Sequence, residues 1–109
     1  MQIAEDVYKL SRKFPREELY GMTSQIRRSA ASVAANIAEG YGRENRGSFV
    51  QFLKIAQGSL KETETHLQLC ERVGIVKRNE IDGLLEQSDE LGRMLHSLIR
   101  SIQPKTAPK

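Results

Sequence analysis

The sequence predicts an all-α protein, an antiparallel up-and-down four-helix bundle. Three observations carry this. Apolar residues recur at three- and four-residue spacings in four successive segments, the period of one helix face. No segment alternates in the strand period, and the 39% hydrophobic composition includes only six aromatic residues, three Tyr and three Phe, with no Trp. A β-sandwich would draw on more Val, Thr and aromatic side chains. The breaks between segments are short, which makes consecutive helices antiparallel neighbours.

The first helix is expected over residues 2–13, where Ile3, Val7, Leu10 and Phe14 share a face. Phe14-Pro15 closes it, because proline disfavours helix at the preceding residue and suits the start of the next element. Opening at Met1 without a cap, this segment has the form of the end of a longer helix. Residues 15–20 read as a lead-in, with Thr23 or Ser24 capping the second helix, residues 23–40.

That second helix organises the rest of the chain. Ile26, Ala30, Val33 and Ile37 form an apolar stripe, and Gln25, Ser29, Ser32, Asn36, Glu39 and Arg43 form a polar one at the same spacing. Ala31, Ala34, Ala35 and Ala38 lie between them, small enough to admit a neighbour closely. The polar stripe has two readings. Either it faces water, or it is covered and each group needs a partner, since an unpaired buried polar group costs about 1–3 kcal/mol. Arg43, four residues after Glu39, is one such partner; Ser59 and Thr63 on the third helix are others. Gly40-Tyr41-Gly42 is expected to stop the helix through glycine's left-handed conformation.

The third helix, 48–73, is expected to open with a capping box, Ser48-x-x-Gln51, and to end with Gly74 just past its last turn. Phe49, Phe52, Ala56, Leu60, Thr63, Leu67 and Cys70 would face inward. The fourth, 79–102, carries Ile81, Leu84, Leu85, Ser88, Leu91, Leu95, Leu98 and Ile102 in one seam, with Ser88 its polar break. Pro104 ends it, and 104–109 is expected to be a frayed tail. The 109 residues thus make one domain, 1–103. A chain of this size buries a modest share of its surface, and the short first helix leaves one end of the bundle thinly covered. Both point to self-association.

The chemistry-bearing residues argue against an enzyme. Glu62, His66 and Cys70 stand four residues apart along one helix face, but the other histidine, His96, is isolated, and no Glu precedes a His by three as di-iron bundles require. Cys70 reads as a small core residue and His66 as a boundary residue. Gly40, Gly42 and Gly47 lack the Gly-Lys-Ser/Thr ending of a phosphate loop. No nucleophile–base pair is encoded by local spacing. No catalytic residue, metal or cofactor is expected. A single cysteine excludes an intrachain disulfide framework. Glu5 and Asp6 occupy the place of a signal peptide's basic region, and no apolar run approaches the ~18 residues of a membrane span. The expected location is the cytoplasm.

The net charge, 17 Lys and Arg against 14 Asp and Glu, is a mild +3. Its distribution is more informative. From residue 27 to 61 the six bases Arg27, Arg28, Arg43, Arg46, Lys54 and Lys61 face only Glu39 and Glu44, a surplus of 6 − 2 = +4. Residues 80–90 hold five acids and no base. Such a basic side suits a phosphate backbone, with arginine making paired contacts that position without reading sequence. Tyr41 and Tyr20 are the sole stacking candidates beside it, so sequence-specific single-strand recognition is not expected. The plainer reading is a solvated helix face. An alternative function is a protein-interaction scaffold without direct nucleic-acid binding, with Tyr8, Val50 and Met94 as candidate exposed apolar contacts.

Several blocks resemble the bacterial four-helix bundle family of 23S rRNA-intervening-sequence proteins. They are Gln25-Ile26-Arg27-Arg28; Asn36-Ile37-Ala38-Glu39-Gly40 with Gly42-Arg43; Phe52-Leu53 with Ala56, Gly58-Ser59 and Glu62; and Leu91-Gly92-Arg93-Met94-Leu95 with Leu98-Ile99. The resemblance spans about residues 3 to 103. It implies a homopentameric ring of antiparallel bundles. It also brings in a related bundle, the accessory variability protein of diversity-generating retroelements, which binds nucleic acid and a reverse transcriptase. The implied partners are therefore a second copy of the chain, RNA or DNA, and a reverse transcriptase or another protein. The resemblance further implies that the Asn36–Glu39–Arg43 side, with Ser59 opposite, is a shared structural polar network. The family name records genes lying inside intervening sequences of ribosomal RNA genes. Two departures stand out. The family's longer first helix with its Leu-x-Val-Trp-like segment is replaced by MQIAEDVYKL, and Lys77 stands where a Ser or Thr usually caps the fourth helix.

Overall fold

A computed structural model describes residues 2–103, which form helices α1 (Gln2–Ser11), α2 (Met22–Tyr41), α3 (Arg46–Arg72) and α4 (Arg78–Ile102), with a 3-10 turn at Arg16–Glu18. The expected tail, 104–109, lies outside the described residues. No strand is present among them. α2 packs most extensively on α3, α3 on α4, and α1 lies against both α2 and α4. Among the described residues no diagonal pair brings its Cα atoms within 8 Å, so the four helices form the corners of a square in cross-section. The molecule measures 51 × 24 × 22 Å. No described helix is long and apolar enough to cross a membrane.

The core runs along the square's axis. Val7 from α1, Ile26, Ala30 and Val33 from α2, Leu53, Ala56 and Leu67 from α3, and Ile81 from α4 are completely enclosed. Two stripes shift from the expected pattern. On α3 the turns that follow the first bury Val50 and Leu53, while Phe49 and Phe52 are half-buried over the end of α2. Val50 is therefore a core residue and not an exposed contact. On α4 Ile99 is enclosed, and Leu85, Leu91, Leu98 and Ile102 are half-buried at the seam's edges.

The helix ends differ from expectation for identifiable reasons. α1 stops at Ser11, two residues early, and Lys13 and Phe14 turn back by bonds to the carbonyls of Leu10 and Ser11. α2 starts at Met22, so neither Thr23 nor Ser24 caps it. Instead the Glu18 carboxylate accepts the Met22 N–H at 3.3 Å, and Thr23 is buried. Gly40 does not stop α2. It lies within the last turn and is buried, and a Cβ there would stand 3.0 Å from Phe49 Cδ1 and 3.3 Å from Phe52 Cβ. Its role is close approach of α2 to α3. Gly42, which follows the helix, keeps a negative φ of −85°.

The α3 cap is Asn45, not Ser48. The Asn45 Oδ1 accepts the Ser48 N–H at 2.7 Å, and the helix has already begun at Arg46. At the other end Gly74 takes φ +84°, with Gly74 N–H donating to Glu71 O and Ile75 N–H to Cys70 O. That pair of bonds is a Schellman motif, and it satisfies two carbonyls of the last turn. At the start of α4 the Glu80 Oε1 reaches back to the Lys77 N–H at 2.8 Å. One carboxylate thus serves the helix start where the Lys77 side chain offers no acceptor, while the Lys77 carbonyl accepts the Glu80 N–H at 2.9 Å.

α1 is short: 10 residues against 20, 27 and 25. At about 1.5 Å per residue it covers roughly half of α2. Its end is fixed to the start of α2 by Arg27 Nε donating to Ser11 Oγ at 2.6 Å, and Gln87 of α4 donates to Asp6 at 2.9 Å. Beyond the start of α1, α2 and α4 flank an open apolar hollow of Ile37, Tyr41, Leu91, Met94, Leu95 and Leu98.

Candidate nucleic-acid interface

The polar stripe of α2 divides into a buried part and an exposed part. Ser29 and Thr63 are buried between α2 and α3: Thr63 Oγ1 lies 2.9 Å from Ser29 Oγ and 2.9 Å from the Ser59 carbonyl, and Ser29 Oγ donates to Ile26 O. One turn on, Ser32 Oγ and Ser59 Oγ meet at 2.8 Å, and Asn36 Nδ2 donates to the Ser32 carbonyl and hydroxyl at 2.8 and 3.0 Å. Every hydroxyl in this seam therefore has a partner, which removes the penalty of enclosing it. Glu39 and Arg43 stand apart from the seam. They pair at 2.7 Å on an exposed surface, and the Arg43 guanidinium also lies 4.7 Å from the Phe52 ring centroid. Asn36 and Ser59 thus belong to one group, and Glu39 and Arg43 to another.

The six candidate phosphate contacts also separate. Arg27 is half-buried, bonded to Ser11 and stacked 4.9 Å from the Tyr8 ring centroid, so it joins α1 to α2. Arg28 is exposed on α2. Arg43 is held by Glu39 and Phe52, beside Tyr41, whose ring leans on Phe49 with centroids 4.9 Å apart. Arg46, Lys54 and Lys61 are exposed on α3, and Lys61 alone of these has a carboxylate near, Glu64 at 3.3 Å. Arg93 on α4, outside the sequence-derived set, shares a groove with Lys54 and Lys61. The signal for it was the antiparallel pairing: Gly92 faces Leu60, and Ser88 donates to Glu64 at 2.6 Å, which carries Arg93 toward the middle of α3. Of the α4 acids, Asp89 lines the groove beside Arg93, whereas Glu80 and Asp82 sit toward the other end. There Arg78 is bonded to Asp82 and Glu71, which raise its pKa further. Charge is therefore arranged along the long axis.

Among the described residues no group of three or more His, Cys, Asp or Glu converges as a metal site. His66 is buried with neither ring nitrogen hydrogen-bonded, and its Nε2 is 3.7 Å from Glu62 Oε2. Cys70 is fully enclosed, and burial, with a smaller contribution from the nearby Glu18 charge, pushes its thiol up to about 11. That favours a structural thiol over a reactive one.

The 23S rRNA-intervening sequence protein family model matches residues 1–97. The chain belongs to this family. Among solved structures it is similar to the crystal structure of a protein of unknown function from the S23 ribosomal protein family of Bacteroides thetaiotaomicron. The two share 30% identity and a TM-score of 0.80, over 90% of this chain and 92% of that one. No curated protein matches the sequence. Neither the family's description nor the relative's names an enzymatic activity, and the relative extends the four-helix likeness over most of the chain.

Proposed function

We propose that this chain is a non-enzymatic, self-associating helical-bundle protein of the cytoplasm that binds RNA through a basic surface. The carrying observation is the group Arg46, Lys54 and Arg93. All three are exposed at the same half of the bundle, and no carboxylate pairs with any of them among the described residues. Cations left unpaired along one surface attract a polyanion, and the balance toward phosphate follows from residues 46–61 of α3, which hold three bases and no acid. Lys61, Arg28 and Arg43 extend this surface.

Assembly into a homopentameric ring, which the family resemblance implies, gains support from the apolar hollow beyond α1. Tyr41 and Met94 there are 64% and 63% exposed in the isolated chain. Five modest basic surfaces on one ring would bind a long RNA together, by avidity. Size-exclusion chromatography with light scattering, with and without structured RNA, tests assembly and retention together. The expected result is a multimer that co-elutes with RNA at low salt and releases it as salt rises. A chain that retains no RNA even at low salt, by chromatography and by filter binding, overturns the reading.

A further inference from the structure

We infer that the groove between α3 and α4 seats the sugar-phosphate backbone of a single-stranded stretch of nucleic acid, without reading its bases. This rests on the nucleic-acid reading above and adds where the strand lies and in what form.

Two adjoining hollows make the groove. One, of about 840 Å³, lies between α3 and α4 and is rimmed by Lys54, Lys61, Arg93 and His96. The second, of about 580 Å³, continues past Lys54 to Arg46 and Gln103. Lys54 lines both, so they form one track. Small residues keep it open. A Cβ on Gly58 would meet nothing within 4 Å, and one on Gly92 opposite would meet only the Leu60 side chain, at 3.7 Å.

The cations are spaced along this track. Arg46, Lys54 and Lys61 follow at intervals of eight and seven residues on α3, about 12 and 10 Å at the helical rise. Arg93 stands across from them on α4. Two acids share the lining, Glu64 and Asp89. Glu64 is engaged by Ser88 and Lys61, whereas Asp89 is exposed on the α4 rim. Four bases against two acids leave 4 − 2 = +2.

Width selects the form of the ligand. Packed helices have axes about 8–10 Å apart, so the furrow between them admits one strand. A duplex, with two paired strands wound about one axis, is broader than this furrow and rides above it. No Phe, Tyr or Trp lines either hollow, and His96 is the one ring among the described lining residues. A row of stacking rings, the usual source of tight single-strand binding, is therefore missing, and binding is weak, salt-sensitive and indifferent to sequence.

The test is fluorescence anisotropy with the full chain, using labelled oligouridylate and a duplex RNA of equal length. Four phosphate contacts predict a slope of log K against log salt of about −2.8 for the single strand. The variant Lys54→Gln/Lys61→Gln/Arg93→Gln keeps one contact. Its slope falls to about −0.7 and its affinity in 0.1 M salt drops about 100-fold. Asp89→Asn removes the facing acid and tightens binding severalfold, a gain that misfolding does not produce. An Asp89→Asn variant that binds no better than the parent overturns the inference. So does a parent chain that prefers the duplex, or a triple variant that binds as the parent while Arg28→Gln/Arg43→Gln loses binding. In these three cases RNA binding itself stands. Failure of the parent chain to bind either RNA at low salt removes both readings.

Discussion

Two glycines inside helices make a paired test of how closely α2 and α3 approach. Gly→Ala in a helix interior is worth about 1 kcal/mol of intrinsic propensity, whatever the position. At Gly83, in α4, a Cβ would meet nothing within 4 Å. Gly83→Ala is therefore expected to stabilise by about 0.5–1 kcal/mol, raising Tm by several degrees at about 4–8 °C per kcal/mol. At Gly40 the same Cβ would press to 3.0 Å from Phe49 Cδ1 and 3.3 Å from Phe52 Cβ. The half-buried Phe49 ring can swing aside, but Phe52 Cβ is fixed to the α3 backbone. Overpacking of this kind costs about 1–3 kcal/mol and cancels or exceeds the propensity gain. Gly40→Ala is thus expected to leave stability unchanged or lower it by up to about 2 kcal/mol. Thermal unfolding followed by circular dichroism reads both variants. A Gly40→Ala that raises Tm as much as Gly83→Ala would refute the close-packing argument, because the difference between the two is the contact itself.

Three further predictions follow from the same geometry. Asn45→Ala should cost about 1 kcal/mol of stability in chemical denaturation, and Ser48→Ala much less, since Asn45 supplies the α3 cap. Thr63→Val keeps the shape but removes the hydroxyl shared by Ser29 and the Ser59 carbonyl, and should lower the denaturation midpoint by an amount equivalent to about 1–2 kcal/mol. Cys70, with its thiol pushed up to about 11 from 9.0, should hold about 100-fold less thiolate than an ordinary cysteine near neutral pH. Thiol-reagent kinetics should show it unreactive until denaturant is added, and rapid labelling of the native protein would contradict its enclosure.

The fold was legible because its signal is long-range in sequence terms: four segments each hold a helical apolar period over several turns, and Gly74 and Pro15 mark real breaks. Local chemistry was harder to read. Ser48 and Asn45 are both good caps three residues apart, and only the position of the chain over α2 decides between them. Gly40 resembled a stop because glycine's two uses, a left-handed turn and close packing, look alike in a string. The phase of the α3 stripe slipped at its start for a related reason. Phe49-Val50 and Phe52-Leu53 are adjacent apolar pairs, and either member fits the period. Of the basic candidates, Arg46, Lys54 and Lys61 came from a window of sequence, while Arg93 lies across the antiparallel pairing, where no window reaches. Arg27 looked like a surface cation, yet Ser11 and Tyr8 claim it, two residues more than fifteen positions away.

The hydroxyl seam between α2 and α3 has a consequence for uniqueness. The alanine-rich surface of α2 is smooth, and α3 could slide along it by a turn, about 5.4 Å, with little change in apolar contact. The bonds Thr63 to Ser29 and Ser59 to Ser32 oppose it. A one-turn slip would part Thr63 from Ser29 and Ser59 from Ser32, losing two cross-helix bonds worth about 0.5–1.5 kcal/mol apiece, while the bonds within each helix remain. The seam thus favours the observed alignment, much as a single polar residue fixes the register of a coiled coil. That alignment also decides where Lys54 and Lys61 stand relative to α4, so the hydroxyls that never meet solvent set the geometry of the charges that do.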